Sequence, residues 1–377
     1  MILKTYISKL KTKLNILRIY YKIPPVKGGM EKHIYFLTKY QNESQQVSVF
    51  FNQGDKISLN DKKILPVVRL DKIKPSFVGI FAFYMSIIFS LLLYRKKFDV
   101  IHIHGDWSSL LFAKIIKRLT NAKIIAYTNH GLITNSLQHR ILLPFTLKGI
   151  DLIFTTGYES AAKLRMAVRN QEVIVQPSGI NSIFFDCSEK NIENEIFTVI
   201  TVANLLPIKN ISLIINIASQ LPEIKFMIIG EGPEKESLQN KINHFKLTNI
   251  ELCGFKAANE IKKLYNLSDC FLMTSLGEGT PTSILEALAC GLPIVSSNAG
   301  GLNRVLENGK NGFIIEGYLI TDYIKAIKKI QNDKILRLKI KEENKTLARN
   351  YCWNNVEHNI TNLIKRRLEG KINNIST

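Results

Sequence analysis

The chain has 377 residues with 46% hydrophobic content, enough for about two domains with substantial cores. Lys and Arg number 51 against 31 Asp and Glu, which gives a formal net charge of +20. The five cysteines are scattered without a C-x-x-C pair, which excludes a cysteine metal site and predicts reduced, mostly buried thiols in the cytosol.

The positive charge has three possible explanations. A basic surface is typical of nucleic-acid binding, but the sequence has no helix-turn-helix, zinc-finger or aromatic RNA-binding signature. An anionic membrane would attract the same surface. The third explanation is a composition rich in Lys, Ile and Asn throughout. The N-terminal stretch MILKTYISKLKTKLNIL has no long apolar run and no small-residue cleavage site, so we expect no secretory signal.

Short apolar strands alternate with helices along the first half of the chain. A strand at Ile16–Tyr20 precedes the pair Gly28-Gly29 and a helix at Met30–Gln41. Such alternation predicts a parallel sheet covered on both faces. The further strands are predicted at Val47–Asn52, Val100–His104, Lys123–Tyr127, Leu152–Thr155 and Val173–Val175.

A long apolar segment, Phe77–Tyr94, lies within this series and has basic residues at both ends. Its length would suffice to cross about 30 Å of hydrocarbon. A membrane-spanning helix would split one sheet across a bilayer, because the strand DVIHIH follows at once. Two alternatives stay open: a wholly buried helix, and an interfacial helix with one face on the sheet and one on lipid. The basic flanks favour the interfacial helix.

The polar stretch Asp186–Glu195 is predicted to be a linker, and a second alternating series follows it. Ligands of such sheets bind beyond the carboxyl ends of the strands, and two facing units would leave a cleft between them. We therefore predict an α/β protein with two doubly wound domains, residues 1–187 and 188–353, and a C-terminal helix, residues 354–377, that returns towards the first. The second series comprises strands at Phe197–Val202, Ile224–Ile229, Ile250–Cys253, Cys270–Thr274, Pro293–Ser297 and Phe313–Ile315, and helices at Lys209–Gln220, Glu234–Phe245, Asn259–Leu267 and Pro281–Ala289.

The stretch Glu278–Gly291, EGTPTSILEALACG, contains a helix with explicit start and stop signals. Thr280 suits the N-cap, and Pro281 suits the first helical position, where its missing N–H costs nothing. Gly291 suits the residue just past the end, and Pro293 prevents continuation.

The start of this helix predicts a ligand site. The free amides of Thr282, Ser283 and Ile284 favour negative charge, typically phosphate. The carboxylates of Glu278 and Glu286, eight residues apart, suit hydroxyl groups. Together they predict a pocket for a molecule that is part phosphate and part polyol, such as a nucleotide sugar.

Glycines and histidines mark a second candidate region in the first domain. The adjacent Gly28 and Gly29 follow a strand and would let backbone amides approach a phosphate or sugar closely. His104 and His130 end predicted strands, and His102 shares a strand face with His104 because strand side chains alternate. A satisfied core histidine is the alternative at each position.

The motifs taken together resemble those of retaining glycosyltransferases with the GT-B fold, of the family-4 (group 1) type. The resemblance covers nearly the whole chain and includes the E-x7-E stretch at Glu278. The other matching segments are Pro25–Glu31, Asp99–Gly105, Thr128–Gly131, Gln176–Gly179, Val202–Asn210, Ile229–Pro233, Ser296–Gly301 and Glu307–Phe313.

The resemblance implies roles for the second-domain residues. Glu278 would contact hydroxyls of the donor sugar, Glu286 would hold the ribose hydroxyls, and Lys209 would neutralise the diphosphate. Members of the family usually carry Arg where this chain has Asn204. Either donor affinity is lower, or the missing charge is supplied elsewhere, and Arg304 is one candidate beside Lys209 and the helix amides.

The resemblance also implies a wider donor site and an acceptor side. His104 would lie beside the donor sugar, and the other two catalytic residues would be Lys209 and Glu278. Candidates on the acceptor side are His130, Asp106 and Trp107. The remaining donor-site candidates are Gly28, Gly29, Gly230, Gly232, Gly254, Phe255, Gly279, Thr280, Thr282, Ser283 and Ile284.

The expected activity is transfer of a hexosyl group from a UDP- or GDP-sugar to a lipid-linked or polysaccharide acceptor hydroxyl, with retention of configuration. We expect no cofactor and no metal, since no Asp-x-Asp motif is present. The expected location is the cytoplasm, peripheral at the inner face of the cytoplasmic membrane, with an anionic membrane surface as a partner and no nucleic acid. The alternatives are a GT-B epimerase or hydrolase, and a non-catalytic basic module that binds membranes or nucleic acid.

Overall fold

The computed structural model describes residues 13–21, 29–51, 76–130, 133, 137–168, 171–187 and 196–373. The chain divides into two compact units: residues 1–179 with 353–377 form unit 1, and residues 180–352 form unit 2. Unit 2 begins at Ile180 because this residue bridges to Cys352, and its amide donates to the Tyr351 carbonyl at 2.8 Å. The predicted linker falls mostly on residues 188–195, outside the described part.

Unit 1 contains a parallel sheet of six strands in the order β2-β1-β3-β4-β5-β6, which confirms the predicted parallel sheet. Each observed strand lies within a residue or two of its predicted position. The strands are β1 Asn15–Ile19, β2 Gln46–Phe50, β3 Val100–Gly105, β4 Ile124–Asn129, β5 Leu152–Thr155 and β6 Val173–Val175.

Helices cover both faces of this sheet, because alternate strand residues such as Ile16 and Leu17 point to opposite sides. Helices α2 to α5 pack with Leu17 on one side, and α1 and α12 pack with Ile16 on the other. Helix α12 thus belongs to unit 1 although it is the last element of the chain. The helices are α1 Gly29–Ser44, α2 Ser76–Tyr94, α3 Ala113–Thr120, α4 Leu137–Leu147, α5 Tyr158–Ala167 and α12 Trp353–Asn373.

Helix α2 corresponds to the long apolar segment and is buried on one side only. Its inner side, which includes Phe83, Ile87 and Leu91, is buried in the core of unit 1. Its outer side carries exposed residues such as Phe81 and Phe89. The alternative of a wholly buried helix is therefore wrong. Among the described residues, no helix combines the length and apolarity that crossing a bilayer requires.

Unit 2 contains a second parallel sheet of six strands, in the order β12-β11-β10-β7-β8-β9. Its core packs the helices α6, α7 and α10 against one sheet face through Ile214, Leu238 and Ile327. The elements of unit 2 are β7 Thr198–Val202, α6 Ile211–Ala218, β8 Lys225–Ile229, α7 Lys235–His244, β9 Ile250–Gly254, α8 Ala258–Asn266, β10 Cys270–Met273, α9 Thr282–Ala289, β11 Ile294–Ser297, β12 Gly312–Ile315, α10 Ile320–Asn332 and α11 Lys334–Arg349.

One pair of cysteines departs from the sequence expectation. Cys187 and Cys290 form a disulfide with Cα atoms 5.3 Å apart, so the prediction that all five cysteines are reduced is wrong for this pair. Cys290 follows α9, and Cys187 follows the 3-10 helix Ser182–Asp186. The two residues are separated by 103 positions, and only the fold of unit 2 brings them together. Cys253, Cys270 and Cys352 are free.

Candidate functional site

The strand order of the unit 2 sheet reverses at β7. The chain adds β8 and β9 on one side of β7 and then β10, β11 and β12 on the other, so the edge between β7 and β10 is the topological switch point. Ligands of doubly wound sheets bind beyond the carboxyl ends of the strands at such a point. The segment after β7 carries Asn204 and Lys209, and the segment after β10 carries Glu278. The topology therefore places these predicted residues at the position where a ligand is expected.

Lys209 and Glu278 are brought into direct contact. The Lys209 ammonium donates to Oε1 of Glu278, and the Ser275 hydroxyl donates to the same oxygen at 2.7 Å. The Lys209 side chain is 20% exposed and the Glu278 side chain 10%, so the pair is largely shielded from water. The contact between these charges was not predicted.

Hydrogen bonds to backbone carbonyls hold the Lys209 segment against the Glu278 segment. The Leu276 amide donates to the Ile208 carbonyl at 2.8 Å, and the Thr274 hydroxyl donates to the Asn210 carbonyl at 2.9 Å. The Lys209 segment is a 3-10 helix, Pro207–Lys209, and α6 begins at Ile211. The helix predicted at Lys209–Gln220 therefore begins two residues later, and the prediction that Lys209 starts it is wrong. Pro207 opens a separate short turn, and Asn210 takes a left-handed conformation that interrupts the helical path.

Gly300 closes the Glu278 loop from the other side. It has φ +68°, and a Cβ placed on it would lie 2.3 Å from the Glu278 carbonyl oxygen and 2.5 Å from that of Gly279. The Ser275 carbonyl accepts from the Ser297 hydroxyl at 2.7 Å. The sequence pointed to this region through the motif SSNAGG, but Ser275 and the packing role of Gly300 were missed.

Helix α9 begins one residue later than predicted. Pro281 occupies the cap position with an extended ψ of 122° and offers no side-chain cap, so the prediction of Thr280 as N-cap and Pro281 as first helical residue is wrong. The first amides of any helix have no partner within it, and here these belong to Thr282, Ser283 and Ile284. The buried Thr280 hydroxyl has no hydrogen-bond partner among the described residues. A buried polar atom of this kind often marks a place where a ligand or water binds.

Glu286 lies in the second turn of α9, as predicted, and is half-buried between buried neighbours. Its charge acts on Tyr265, whose pKa is raised mainly by burial and secondarily by the Glu286 carboxylate. The Tyr265 hydroxyl donates to the Ser283 carbonyl at 3.2 Å. Tyr265 therefore anchors the first turn of α9 through the Ser283 carbonyl.

The glycines after β8 have a structural reason of their own. A Cβ on Gly230 would lie 1.8 Å from the Ala203 carbonyl oxygen, and one on Gly232 would lie 2.3 Å from that of Leu205. These glycines let the loops after β7 and β8 touch. Gly254 has φ +70°, and the neighbouring Phe255 is 55% exposed. Contact of this region with a nucleotide base stays a prediction.

Two other predicted residues are exposed. Asn204 lies at the surface just after β7, and Arg304 lies in the 3-10 helix Leu302–Arg304 that follows Gly300 and Gly301. Neither position tests whether Arg304 supplies the charge that Asn204 lacks.

Unit 1 holds a cluster of histidines at the ends of β3 and β4. His104 Nδ1 lies 3.0 Å from His130 Nε2, and the ring of His33, from α1, lies 4.7 Å from that of His130. His33 Nδ1 lies 2.8 Å from the Ser178 hydroxyl, and His102 Nε2 lies 2.8 Å from that of Thr128. His102 is a buried core histidine, as its alternative assignment stated, but its Nδ1 has no hydrogen-bond partner among the described residues. His33 was missed, although its position in the helix after the glycine pair was a usable signal.

These imidazoles are held neutral. Burial lowers the pKa of His33, His102 and His104 well below the usual value for histidine, and neighbouring positive charges lower each further. Burial lowers the pKa of His130 to about 3. A neutral imidazole both donates and accepts a hydrogen bond, which suits contact with sugar hydroxyls.

The remaining predicted residues of unit 1 have mixed outcomes. Asp106 accepts from the Ser108 amide at 3.0 Å and caps the 3-10 helix Trp107–Leu110. Trp107 is half-buried against the core. Gly29 is the first residue of α1, and Gly28 lies outside the described residues.

One group of side chains has the composition of a metal site. His33, His104 and His130 each offer a ring nitrogen, and the three nitrogens lie within 4.8 Å of one another. Neutral imidazole is a common ligand of Zn²⁺ and similar ions. The expectation of a metal-free reaction therefore stays a prediction that chelation can test.

Comparison with known proteins agrees with this geometry. Residues 27–182 match the family described as Glycosyltransferase Family 4, and residues 185–347 match Glycosyl transferases group 1. The chain belongs to the group 1 glycosyltransferases.

Individual relatives of this glycosyltransferase are distant. It is 27% identical over 303 residues to the Escherichia coli UDP-Gal:alpha-D-GlcNAc-diphosphoundecaprenol alpha-1,3-galactosyltransferase, covering 73% of this chain and 74% of that one. It is 23% identical over 310 residues to the phosphatidylinositol N-acetylglucosaminyltransferase gpi3 subunit of Schizosaccharomyces pombe, covering 77% and 67%. Anabaena HepE, solved with UDP and glucose, has a TM-score of 0.77 at 19% identity, covering 94% of this chain and all of that one, and it shows the shared GT-B fold.

Proposed function

We propose that this glycosyltransferase moves a hexosyl group from a nucleoside-diphosphate sugar to a hydroxyl of a lipid-linked or polysaccharide acceptor, with retention of configuration. The observation that carries the proposal is the contact between Lys209 and Glu278 at the switch point of the unit 2 sheet, in the loop that leads into α9. This arrangement offers a cation for a diphosphate and a carboxylate for sugar hydroxyls.

The diphosphate would be held by Lys209 and by the amides at the start of α9. Charge-assisted hydrogen bonds from an ammonium group are about twice as strong as neutral ones. Helix N-termini add a partial positive charge and free N–H donors. Glu278 would then exchange its contact with Lys209 for one with the sugar, and Glu286 would accept from the ribose hydroxyls.

The reaction we favour takes place on one face of the sugar. The bond between the anomeric carbon and the diphosphate oxygen breaks, the acceptor oxygen bonds to that carbon, and the acceptor proton passes to the departing diphosphate. Lys209 and the α9 amides stabilise the negative charge that develops on the leaving group. The chain then contributes positioning and electrostatic stabilisation more than general-base catalysis.

The histidine cluster of unit 1 would bind sugar hydroxyls. Burial lowers the pKa values of His104 and His130, so both would contact hydroxyls as neutral donors and acceptors and not as cations. We expect transfer to proceed without a metal, so excess EDTA should leave the rate unchanged. A loss of rate that Zn²⁺ or Mn²⁺ restores would assign the cluster of His33, His104 and His130 to a metal instead.

Two relatives bear on the substrates. The E. coli relative is named for UDP-Gal and a diphosphoundecaprenol-linked acceptor, and the S. pombe relative is named for phosphatidylinositol. Both names combine a sugar transfer with a lipid. We therefore infer a UDP-linked donor ahead of a GDP-linked one, a lipid-linked acceptor, and a location at the cytoplasmic face of a membrane.

The donor can be tested by thermal shift against UDP-, GDP- and ADP-sugars, because a ligand that binds the native state raises the melting temperature. We expect one nucleotide class to stabilise the chain. Incubation with that donor and no acceptor should leave the sugar unchanged. An epimerised or hydrolysed donor would favour the epimerase or hydrolase alternative, and binding of membranes or nucleic acid without any donor binding would favour a non-catalytic module.

A further inference from the structure

Three helices of unit 1 present apolar side chains outward from the same side of the sheet. Helices α2, α3 and α4 all bury their inner sides in one core. Along the outer side of α2, exposed residues recur every three or four positions. These residues are Val78, Phe81, Met85, Phe89 and Leu92.

The neighbouring helices extend this apolar surface. Leu111 is exposed two residues before α3, and Ile115 is exposed within it. The rings of Phe81 and Phe112 lie 5.7 Å apart, which joins α2 to α3. The exposed residues of α4 are Leu137, Ile141 and Phe145, which lie on one side of that helix. We call these outward residues of α2, α3 and α4 the apolar face.

Cations outnumber anions around the apolar face, where Asp106 is exposed before α3 and Asp151 pairs with Lys117 of α3 at 3.2 Å. The sequences of α2, α3 and α4 contain no Asp and no Glu. Exposed cations lie on α3 and α4 and just after α2 and α4. They are Arg95, Lys96, Lys97, Lys114, Arg118, Arg140 and Lys148.

We propose that the apolar face docks on an anionic phospholipid bilayer. A helix surface with apolar residues in the middle and basic residues at its edges binds membranes in the plane of the interface. Large exposed apolar patches mark interaction sites, and basic side chains add attraction to acidic headgroups. The proposal deepens the proposed function and rests on its membrane association, because it assigns the surface that makes the contact.

The charge argues against a second copy as the occupant. Two apolar faces brought together would place Arg95, Lys96 and Lys97 of each copy beside the like charges of the other. Like charges across an interface destabilise it. An acidic lipid surface provides the complementary sign.

The burial pattern also fixes the depth of the contact. The inner side of α2 is part of the core of unit 1, so this helix can enter a bilayer only as far as its outer side extends. Contact would involve the headgroup and upper acyl region, to which Phe81, Phe89 and Phe145 would contribute large side chains.

The test is flotation of the full chain with phosphatidylcholine vesicles containing 30% phosphatidylglycerol. Phe89 is 63% exposed on α2 and Phe145 is 72% exposed on α4. Phe89→Glu and Phe145→Glu should each weaken vesicle binding at least about tenfold, because each removes an aromatic ring that would enter the bilayer and adds a negative charge that acidic headgroups repel. Ile335→Glu is the matched control: Ile335 is 81% exposed on α11 of unit 2, and the substitution should leave binding unchanged.

The outcomes separate the surface from the activity. Wild-type flotation that Phe89→Glu and Phe145→Glu do not weaken would overturn the proposal while leaving membrane association in place. Absence of wild-type flotation would overturn both. A concentration-dependent dimer abolished by Phe89→Glu would assign the face to a second copy and also overturn the proposal. Donor binding, measured by thermal shift, should be the same in the wild type and in all variants. Failure of the wild type to bind any donor would count against the proposed function alone.

Discussion

At the scale of single residues, Lys209 carries the charge that the proposed reaction needs. Lys209→Ala should lower turnover about 100-fold or more, as for removal of one preorganised group that stabilises developing charge. The measurement is kcat with the best donor, with circular dichroism to verify the fold. Lys328→Ala is a control, because Lys328 forms an exposed ion pair with Glu223. A Lys209→Ala enzyme with near-normal turnover would refute the role.

Substitutions of the two carboxylates of the E-x7-E stretch should have different effects, because the two are assigned to different parts of the donor. Glu278→Ala should impair transfer and leave nucleoside-diphosphate binding largely intact, since Glu278 is assigned to the sugar. Glu286→Ala should weaken nucleoside-diphosphate binding, since Glu286 is assigned to the ribose. Calorimetric titration with the nucleoside diphosphate and initial rates would check both. Loss of nucleotide binding in Glu278→Ala would show that this residue is assigned to the wrong part of the donor.

The buried histidines should make the fold sensitive to acid. Their pKa values are lowered in the folded chain, so below about pH 6.5 the unfolded chain binds more protons than the folded one. Stability then falls as pH falls, by about 1.4 kcal/mol per pH unit for each such histidine. The melting temperature should therefore drop between pH 7 and pH 5.

A matched variant identifies the source of that pH dependence. His102→Gln removes one titrating group and keeps a donor for Thr128, so its melting temperature should fall less steeply over the same range. An unchanged slope in this variant would mean that His102 takes up its proton without unfolding.

At the scale of elements, the loop around Glu278 depends on one glycine. In Gly300→Ala, the new Cβ would meet the Glu278 and Gly279 carbonyl oxygens, so the loop must move and the contact with Lys209 with it. We expect a loss of activity of about 100-fold, in line with a misplaced catalytic group. The melting temperature should also fall.

Gly309→Ala is the control for that substitution. Gly309 has a similar positive φ of +83°, but a Cβ there would have nothing within 4 Å. The Gly309→Ala variant would therefore have backbone strain without a steric clash, and this strain costs about 1 kcal/mol of stability. Gly309→Ala should therefore lose some stability and keep its activity. Equal effects on activity in the two variants would mean that backbone strain, and not the close contact, is what matters.

Most element positions could be predicted from the alternation of apolar strands with helices. The errors occurred at helix starts, where the backbone conformation of one or two residues determines the boundary. The helix was predicted at Lys209–Gln220, but Pro207 and the left-handed Asn210 create a separate 3-10 turn that contains Lys209. Pro281 was expected as the first residue of α9 because its missing N–H costs nothing there, but its extended ψ leaves it outside the helix. Proline fixes φ and leaves ψ to the surrounding packing.

Helix α2 shows another limit of sequence reasoning. Its 19 residues are apolar on every side, so no periodic pattern could separate an inner from an outer face. Only packing against β-strand residues such as Ile101 distinguishes Phe83 from Phe81. Similarly, the position of Glu278 was predicted from its motif, but its contacts with Lys209 and Ser275 depend on how two distant loops meet.

At the scale of the whole molecule, both parallel sheets and the family were predictable because each unit repeats one local pattern many times. The Cys187–Cys290 disulfide and the histidine cluster were less accessible. Each depends on side chains from separate elements, such as His33 of α1 and His104 of β3, whose proximity no spacing in the sequence encodes.

The composition of unit 1 from two separate segments has a consequence for biosynthesis. Val356, Ile360 and Ile364 of α12 fill one side of a core that otherwise consists of residues from the beginning of the chain, such as Ile34 and Leu37. A ribosome must translate all of residues 180–352 before it reaches them, which takes roughly nine to thirty-five seconds at ~5–20 residues per second. During that interval the nascent first unit lacks this layer, so the unit that is translated later can be the one that finishes folding first.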